Sequence, residues 1–164
     1  MIYPFNAVEA VKIAISIEEN GLKFYNEAAK RFAPSKVSDL FARLAKEEVV
    51  HETLFKKLLE TLPDKDKPTV YDPDNEMDQY LRMMAGLHIF RQSPDAEDKF
   101  LESVKDEKSA LELAMSFEKD SIALFVQLKH SASEFGDRVP IDKLIGEEAK
   151  HLRTLASEYN KLFG

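Results

Sequence analysis

The chain contains no cysteine. Disulfides, thiolate nucleophiles, zinc ribbons, iron–sulfur clusters and iron sites built from four cysteines are therefore excluded, and any metal must take nitrogen and oxygen donors. Glycine is scarce, with five among 164 residues, and clusters of β-branched residues are few, which argues against sheet and for an all-α protein. There is no run of 18 apolar residues, and the opening MIYPFNAVEA has neither the basic start nor the apolar stretch of a signal peptide, so the expectation is a cytoplasmic protein. Positive charge is also short. With 23 Lys and Arg against 30 Asp and Glu, the net charge is −7. No basic stripe for phosphate contacts can be read, and neither nucleic acid nor an anionic membrane surface is an expected partner. At this length and 44% hydrophobic content, one core and a single domain over residues 1–164 are expected.

What is present is a set of four long segments with apolar residues at steps of three and four. The first opens at Asn6, placed to cap a helix with Glu9 three residues on, and runs to about Phe32 before Pro34. The second runs from about Ser35 to Leu62, ahead of Pro63. A third spans about Asp106 to Phe135 or Gly136, and the fourth starts at Val139-Pro140, proline suiting the first helical turn, and continues almost to Gly164. Roughly 45 residues with turn signals and short helical stretches lie between the second and third segments, enough for a crossover. Short A–B and C–D turns with one long B–C connection give the connectivity of a four-helix bundle made of two hairpins.

The apolar stripes of these segments contain charges. Segment two reads Val37, Phe41, Leu44, Glu48, His51, Phe55, Leu58, Leu62, and segment four reads Ile141, Leu144, Glu148, His151, Leu155, Leu162. Segment one gives Val11, Ile15, Glu18, Leu22, Tyr25, Ala29, and segment three gives Leu111, Ala114, Glu118, Ile122, Phe125, Leu128. Each helix thus points one carboxylate inward near its middle. Glu19, Glu47 and Glu147 lie about 100° away around their helices, on flanking faces. Four ionised carboxylates buried without partners would cost several kcal/mol apiece, comparable in sum to the ~5–15 kcal/mol of a whole domain. Two divalent cations balance the four charges, and two neutral imidazoles complete the donor set.

Glu-x-x-His places both side chains on one helix face, one turn apart, where they can grip one ion. The motif alone is weak, but it recurs in phase. At an offset of 100 residues the chain matches itself at Ala14/Ala114, Ser16/Ser116, Glu18/Glu118, Leu44/Leu144, Glu47/Glu147, Glu48/Glu148 and His51/His151. The second hairpin repeats the first.

With Glu18 and Glu118 each followed seven residues later by an aromatic (Tyr25, Phe125), and Glu-x-x-His about thirty residues on in both halves, the chain resembles the ferritin-like diiron-carboxylate superfamily, in its rubrerythrin-like branch. That resemblance implies a ferritin-like four-helix bundle holding two iron ions. Glu48 and Glu148 would bridge them, Glu18 and Glu118 would be terminal ligands, and His51 and His151 would serve one ion each. Manganese suits the same donors. Two departures stand out. Rubrerythrins usually carry a rubredoxin-like domain with four cysteines that feeds electrons in, so an external donor such as a rubredoxin or a reductase is expected instead. They also have a further carboxylate one turn after the third-helix glutamate, where this chain has Ser121, matched by Gly21 in the first half.

The function implied is an oxidoreductase that reduces peroxide or dioxygen. The alternatives are an iron-binding or storage protein, or a dimanganese enzyme that dismutates peroxide. Tyr25 reads equally as a hydrogen-bond donor to a ligand and as a core aromatic. His88 and His130 read as packing or surface residues, and Asp72 and Asp74 as turn residues. The apolar Tyr80, Leu81, Met83, Met84, Leu87, Ile89 and Phe90 suit either a homodimer contact or packing on the chain's own bundle.

Overall fold

The computed structural model describes residues 7–61, 102, 104–131 and 139–164. Four helices account for nearly all of them: α1 Ala7–Arg31, α2 Lys36–Thr61, α3 Glu107–Ser131 and α4 Val139–Phe163. α1 packs along α2 and α3 along α4, and the two hairpins meet through α1 on α3 and α2 on α4. The expected helix bounds hold to within a residue or so, except at the end of the third segment. That end, Asn6, Leu62 and the crossover with His88, Asp72, Asp74 and the seven apolar residues from Tyr80 to Phe90 lie outside the described residues, as does the side chain of His130.

Local chemistry sets the helix starts. Ser35 caps α2, its Oγ accepting from the Ser38 amide at 3.1 Å. At α3, Asp106 Oδ1 accepts from the Ser109 amide at 2.8 Å while Ser109 Oγ accepts from the Asp106 amide at 3.1 Å. This reciprocal pair satisfies two amides that the first turn leaves without helical partners.

Burial follows the apolar stripes with a small rotation. Val11, Ile15, Tyr25, Val37, Phe41, Leu44, Phe55, Leu111, Ala114, Phe125, Leu128, Ile141, Leu144 and Leu155 are core residues. Leu22, Ala29 and Leu58 are only partly buried against it, Gly21, Phe24 and Ala28 are buried beside them, and Leu162 is exposed. A stripe read at seven residues per two turns drifts by ~20° per heptad from a straight helix, which moves the ends of a long stripe off the core.

The repeat is imperfect where the core is tightest. Phe117 faces Gly21 closely enough that a Cβ on Gly21 would lie 2.5 Å from the Phe117 Cζ. Phe117 is itself buried and edge-on to Tyr25 with ring centroids 6.0 Å apart, so its ring has little room to move. Gly21→Ala is therefore expected to destabilise the protein by about 1–3 kcal/mol from overpacking, less the roughly 1 kcal/mol that alanine gains over glycine in a helix. Adding Phe117→Leu should recover stability in denaturant unfolding. Gly21→Ala more stable than the parent would contradict this packing.

Candidate metal centre

Midway along the bundle the four inward carboxylates and two imidazoles meet. Glu18 comes from α1, Glu48 and His51 from α2, Glu118 from α3, and Glu148 and His151 from α4, and each is at most 1% exposed. All six residues expected to converge do so.

Their arrangement is ordered. His51 Nδ1 lies 2.7 Å from Glu148 Oε1, 3.4 Å from Glu48 Oε2 and 3.5 Å from Glu18 Oε2. His151 Nδ1 lies 3.3 Å from Glu148 Oε2, 3.4 Å from Glu118 Oε1 and 3.7 Å from Glu48 Oε1. Glu48 and Glu148 thus each offer one oxygen to either imidazole, whereas Glu18 approaches His51 and Glu118 approaches His151. The two rings lie nearly parallel, centroids 5.2 Å apart.

These close approaches are not hydrogen bonds. Both oxygens of Glu18, Glu48 and Glu148, Oε2 of Glu118 and Nδ1 of both histidines are buried and lack a hydrogen-bond partner. Nine orphaned polar atoms in a core are costly unless a cation sits among them. One atom each from Glu48, His51, Glu148 and His151 lies within 4.8 Å of the others, close enough to serve a common metal centre. Hard oxygen donors, neutral nitrogens and four formal negative charges fit a pair of divalent first-row cations.

The profile of the rubrerythrin family matches residues 9–159. The chain belongs to the rubrerythrin family. Among solved structures it is similar to a Thermotoga maritima protein described as a proposed ferritin-like diiron-carboxylate protein. That match has 24% identity, a TM-score of 0.70 and 98% of each chain covered, a likeness that supports the fold. No curated protein matches it.

Around the cluster of this rubrerythrin family member lies an outer layer that crosses between hairpins. His51 Nε2 meets Glu147 Oε2 at 3.0 Å, and His151 Nε2 meets Glu47 Oε2 at 2.7 Å. Each half's histidine is held by the other half's glutamate, with Nδ1 left facing the centre. A carboxylate behind an imidazole fixes its tautomer and raises its basicity as a ligand. Helical periodicity alone places Glu47 and Glu147 on flanking faces and gives them no role. The signal was present, since both pairs match across the repeat. Tyr25, read ambiguously from sequence, is buried and donates its hydroxyl to Glu118 Oε1. Its repeat partner Phe125 has no hydroxyl and packs on Phe55, centroids 5.0 Å apart, and both Glu18 oxygens stay unpartnered. The two ends of the cluster therefore differ. Ser121, one turn after Glu118, is buried.

Without metal, burial and mutual proximity shift the titration of the clustered groups. Burial pushes the Glu18 and Glu118 carboxyls above the usual carboxylate range, and Glu48 is raised by burial and then by the neighbouring Glu18 carboxylate. Burial acts on Glu148 in the same direction but is outweighed by His151 and His51, which hold it well below that range. Burial would lower His151, yet Glu118 and Glu148 outweigh it and raise the imidazole to about 11. His51 is raised likewise by Glu148, Glu18 and Glu48. Burial, with Glu118 beside it, keeps the Tyr25 phenol protonated and so a donor.

Two outcomes follow. Replacing both outer carboxylates, Glu47→Ala with Glu147→Ala, is expected to weaken metal binding about 10–100-fold in chelator competition, and glutamine, which keeps an acceptor oxygen, should cost less. For the metal-stripped protein, the raised histidine contributes stability that is complete below its ordinary value of 6.5 and is lost as pH rises through about 11. The raised carboxyls lose theirs as pH climbs above their ordinary 4.5. Metal displaces these protons and is favoured by the same rise. Calorimetric Tm values of loaded and stripped protein should therefore diverge between about pH 5 and about pH 8. A constant or narrowing gap would contradict this.

Proposed function

We propose that Glu18, Glu48, His51, Glu118, Glu148 and His151 hold two iron ions, and that the protein is an oxidoreductase reducing peroxide or dioxygen with electrons from a separate donor. The observation that carries the ligand assignment is the division of the Glu48 and Glu148 oxygens between the two imidazoles. It suits both residues as bridges, with Glu18 and His51 terminal on one ion and Glu118 and His151 on the other. Family membership favours iron.

When bound, an iron pair supplies Lewis acidity and two electrons at adjacent centres, as reduction of hydrogen peroxide by two electrons and two protons to two waters requires. The chain's own residues supply position and environment. Glu48 and Glu148, each with one oxygen toward either imidazole, would hold both ions, so that loss of either would free a buried charge. Phe55, Phe125, Leu44 and Leu144 are buried in the same core and help to exclude bulk water. The Tyr25 hydroxyl, hydrogen-bonded to the Glu118 carboxylate, restrains that ligand and makes the His151 end distinct from the His51 end. No further carboxylate accompanies Glu118 one turn on, where the chain has the buried Ser121.

The test is anaerobic loading followed by stopped-flow absorbance. Two irons per chain and faster oxidation by hydrogen peroxide than by dioxygen support a peroxidase, and the reverse order supports an oxidase. No bound transition metal would overturn both. Glu48→Ala should lose at least half of the bound metal, because a bridge serves both ions, and should cost the metal-loaded protein about 3–5 kcal/mol through unpaired buried charge. Unchanged metal content in that variant would sink the bridging assignment.

A further inference from the structure

Although the chain carries a net charge of −7, the fold brings cations that are scattered along two helices onto one face. An open groove of about 570 Å³ runs between the N-terminal half of α2 and the C-terminal half of α4, with Lys36, Arg43, Lys150, Arg153 and Lys161 among its lining residues and Asp39 and Glu158 as its acids. Lys161 pairs with Glu158 at 3.2 Å. Among the described residues, the other four cations make no ion pair.

The internal repeat carries fewer charges at the matching positions. At the positions 100 residues from these five cations stand Gly136, Lys143, Val50, Thr53 and Thr61, with Lys57 at the position matching Ser157, and Lys143 pairs with Glu147 at 3.7 Å. The groove thus gathers five cations and two acids, where the matching positions carry two cations.

That face adjoins the metal centre. Arg43 lies one turn before Glu47 on α2, and Lys150 and Thr154 flank His151 on α4. The Glu47 side chain is 35% exposed and its carboxylate is 2.7 Å from His151 Nε2. Glu47, one turn along α2 from Arg43 of the groove, is thus in direct contact with a candidate ligand. Apart from Leu40 the lining is polar, unlike the apolar pockets that enclose small organic ligands. Cations on both walls fit a ridge of carboxylates on another protein. Electron-transfer complexes are small and held largely by charge, with association steered by complementary potentials.

We propose that this groove is the docking surface for an acidic one-electron carrier protein, which delivers electrons beside the Glu47–His151 hydrogen bond. This rests on the oxidoreductase reading above. Each carrier is oxidised by one electron, and two successive encounters return a diferric centre to the diferrous state.

The probe is an oxidised rubredoxin of net negative charge, titrated against the metal-loaded protein by NMR, with its reduced form used in stopped-flow reduction of the diferric centre. Arg43→Glu with Arg153→Glu should weaken binding at least about tenfold at low salt and slow reduction in parallel. The same charge change made elsewhere, Lys23→Glu with Lys57→Glu, should have a much smaller effect. Raising ionic strength from about 20 mM to about 200 mM should weaken binding to the parent and largely abolish the difference between the variants. The proposal is overturned if the probe does not bind, if both double variants behave alike, or if inorganic phosphate at constant ionic strength displaces the probe, which would make the groove a small-anion site. Metal content and peroxide oxidation of the ferrous centre do not involve docking. Their loss in the parent protein would indict the oxidoreductase reading, whereas normal values with unaltered docking in Arg43→Glu/Arg153→Glu would indict the groove alone.

Discussion

Four carboxylates at the centre of a hydrophobic core are the constraint to which the rest of the structure answers. Glu18, Glu48, Glu118 and Glu148 sit where leucine or alanine would stabilise a plain bundle. Their burial is tolerable only if protons or cations neutralise them, and among the described residues the buried side-chain atoms without a hydrogen-bond partner all belong to the six clustered residues. One carboxylate per helix also explains why all four helices are required. Each hairpin holds one lone inward carboxylate and one Glu-x-x-His, and the cluster of six forms only when the two hairpins meet.

The outer layer ties these halves together. Each histidine takes its orientation from a glutamate of the opposite hairpin, so correct docking of the hairpins and correct aim of the ligands are one event. Beside the cluster this near-symmetry is broken at Tyr25 against Phe125 and at Gly21 against Ser121, with Phe117 filling the glycine's space. A repeat that is faithful at the six clustered residues and unfaithful around them gives a cluster with two similar ends in different surroundings.

Much of this was legible in the sequence because helical periodicity reports which face is buried, and a charged residue in a buried stripe is anomalous by itself. The offset of 100 residues then linked the anomalies, and all six candidate ligands converge in the structure. Legibility ended where the third dimension decides. Glu47 and Glu147 lie outside the stripes, and nothing in one helix announces a histidine on another as the partner. Tyr25 was ambiguous because a core aromatic and a hydrogen-bonded phenol occupy the same helical position. The basic groove was invisible because its cations are spread from Lys36 to Lys161 and converge only when α2 lies along α4. Leu162 was misplaced because its stripe drifts off the core near the helix end.

The central claim is that the two imidazoles and four carboxylates share two metal ions. A crystal structure of the anaerobically iron-loaded protein, with anomalous scattering collected on both sides of the iron absorption edge, tests it most directly. The account predicts two iron peaks per chain, one within bonding distance of His51 and Glu18, the other of His151 and Glu118, with Glu48 and Glu148 touching both. A single peak, or iron bound away from these six residues, would contradict it.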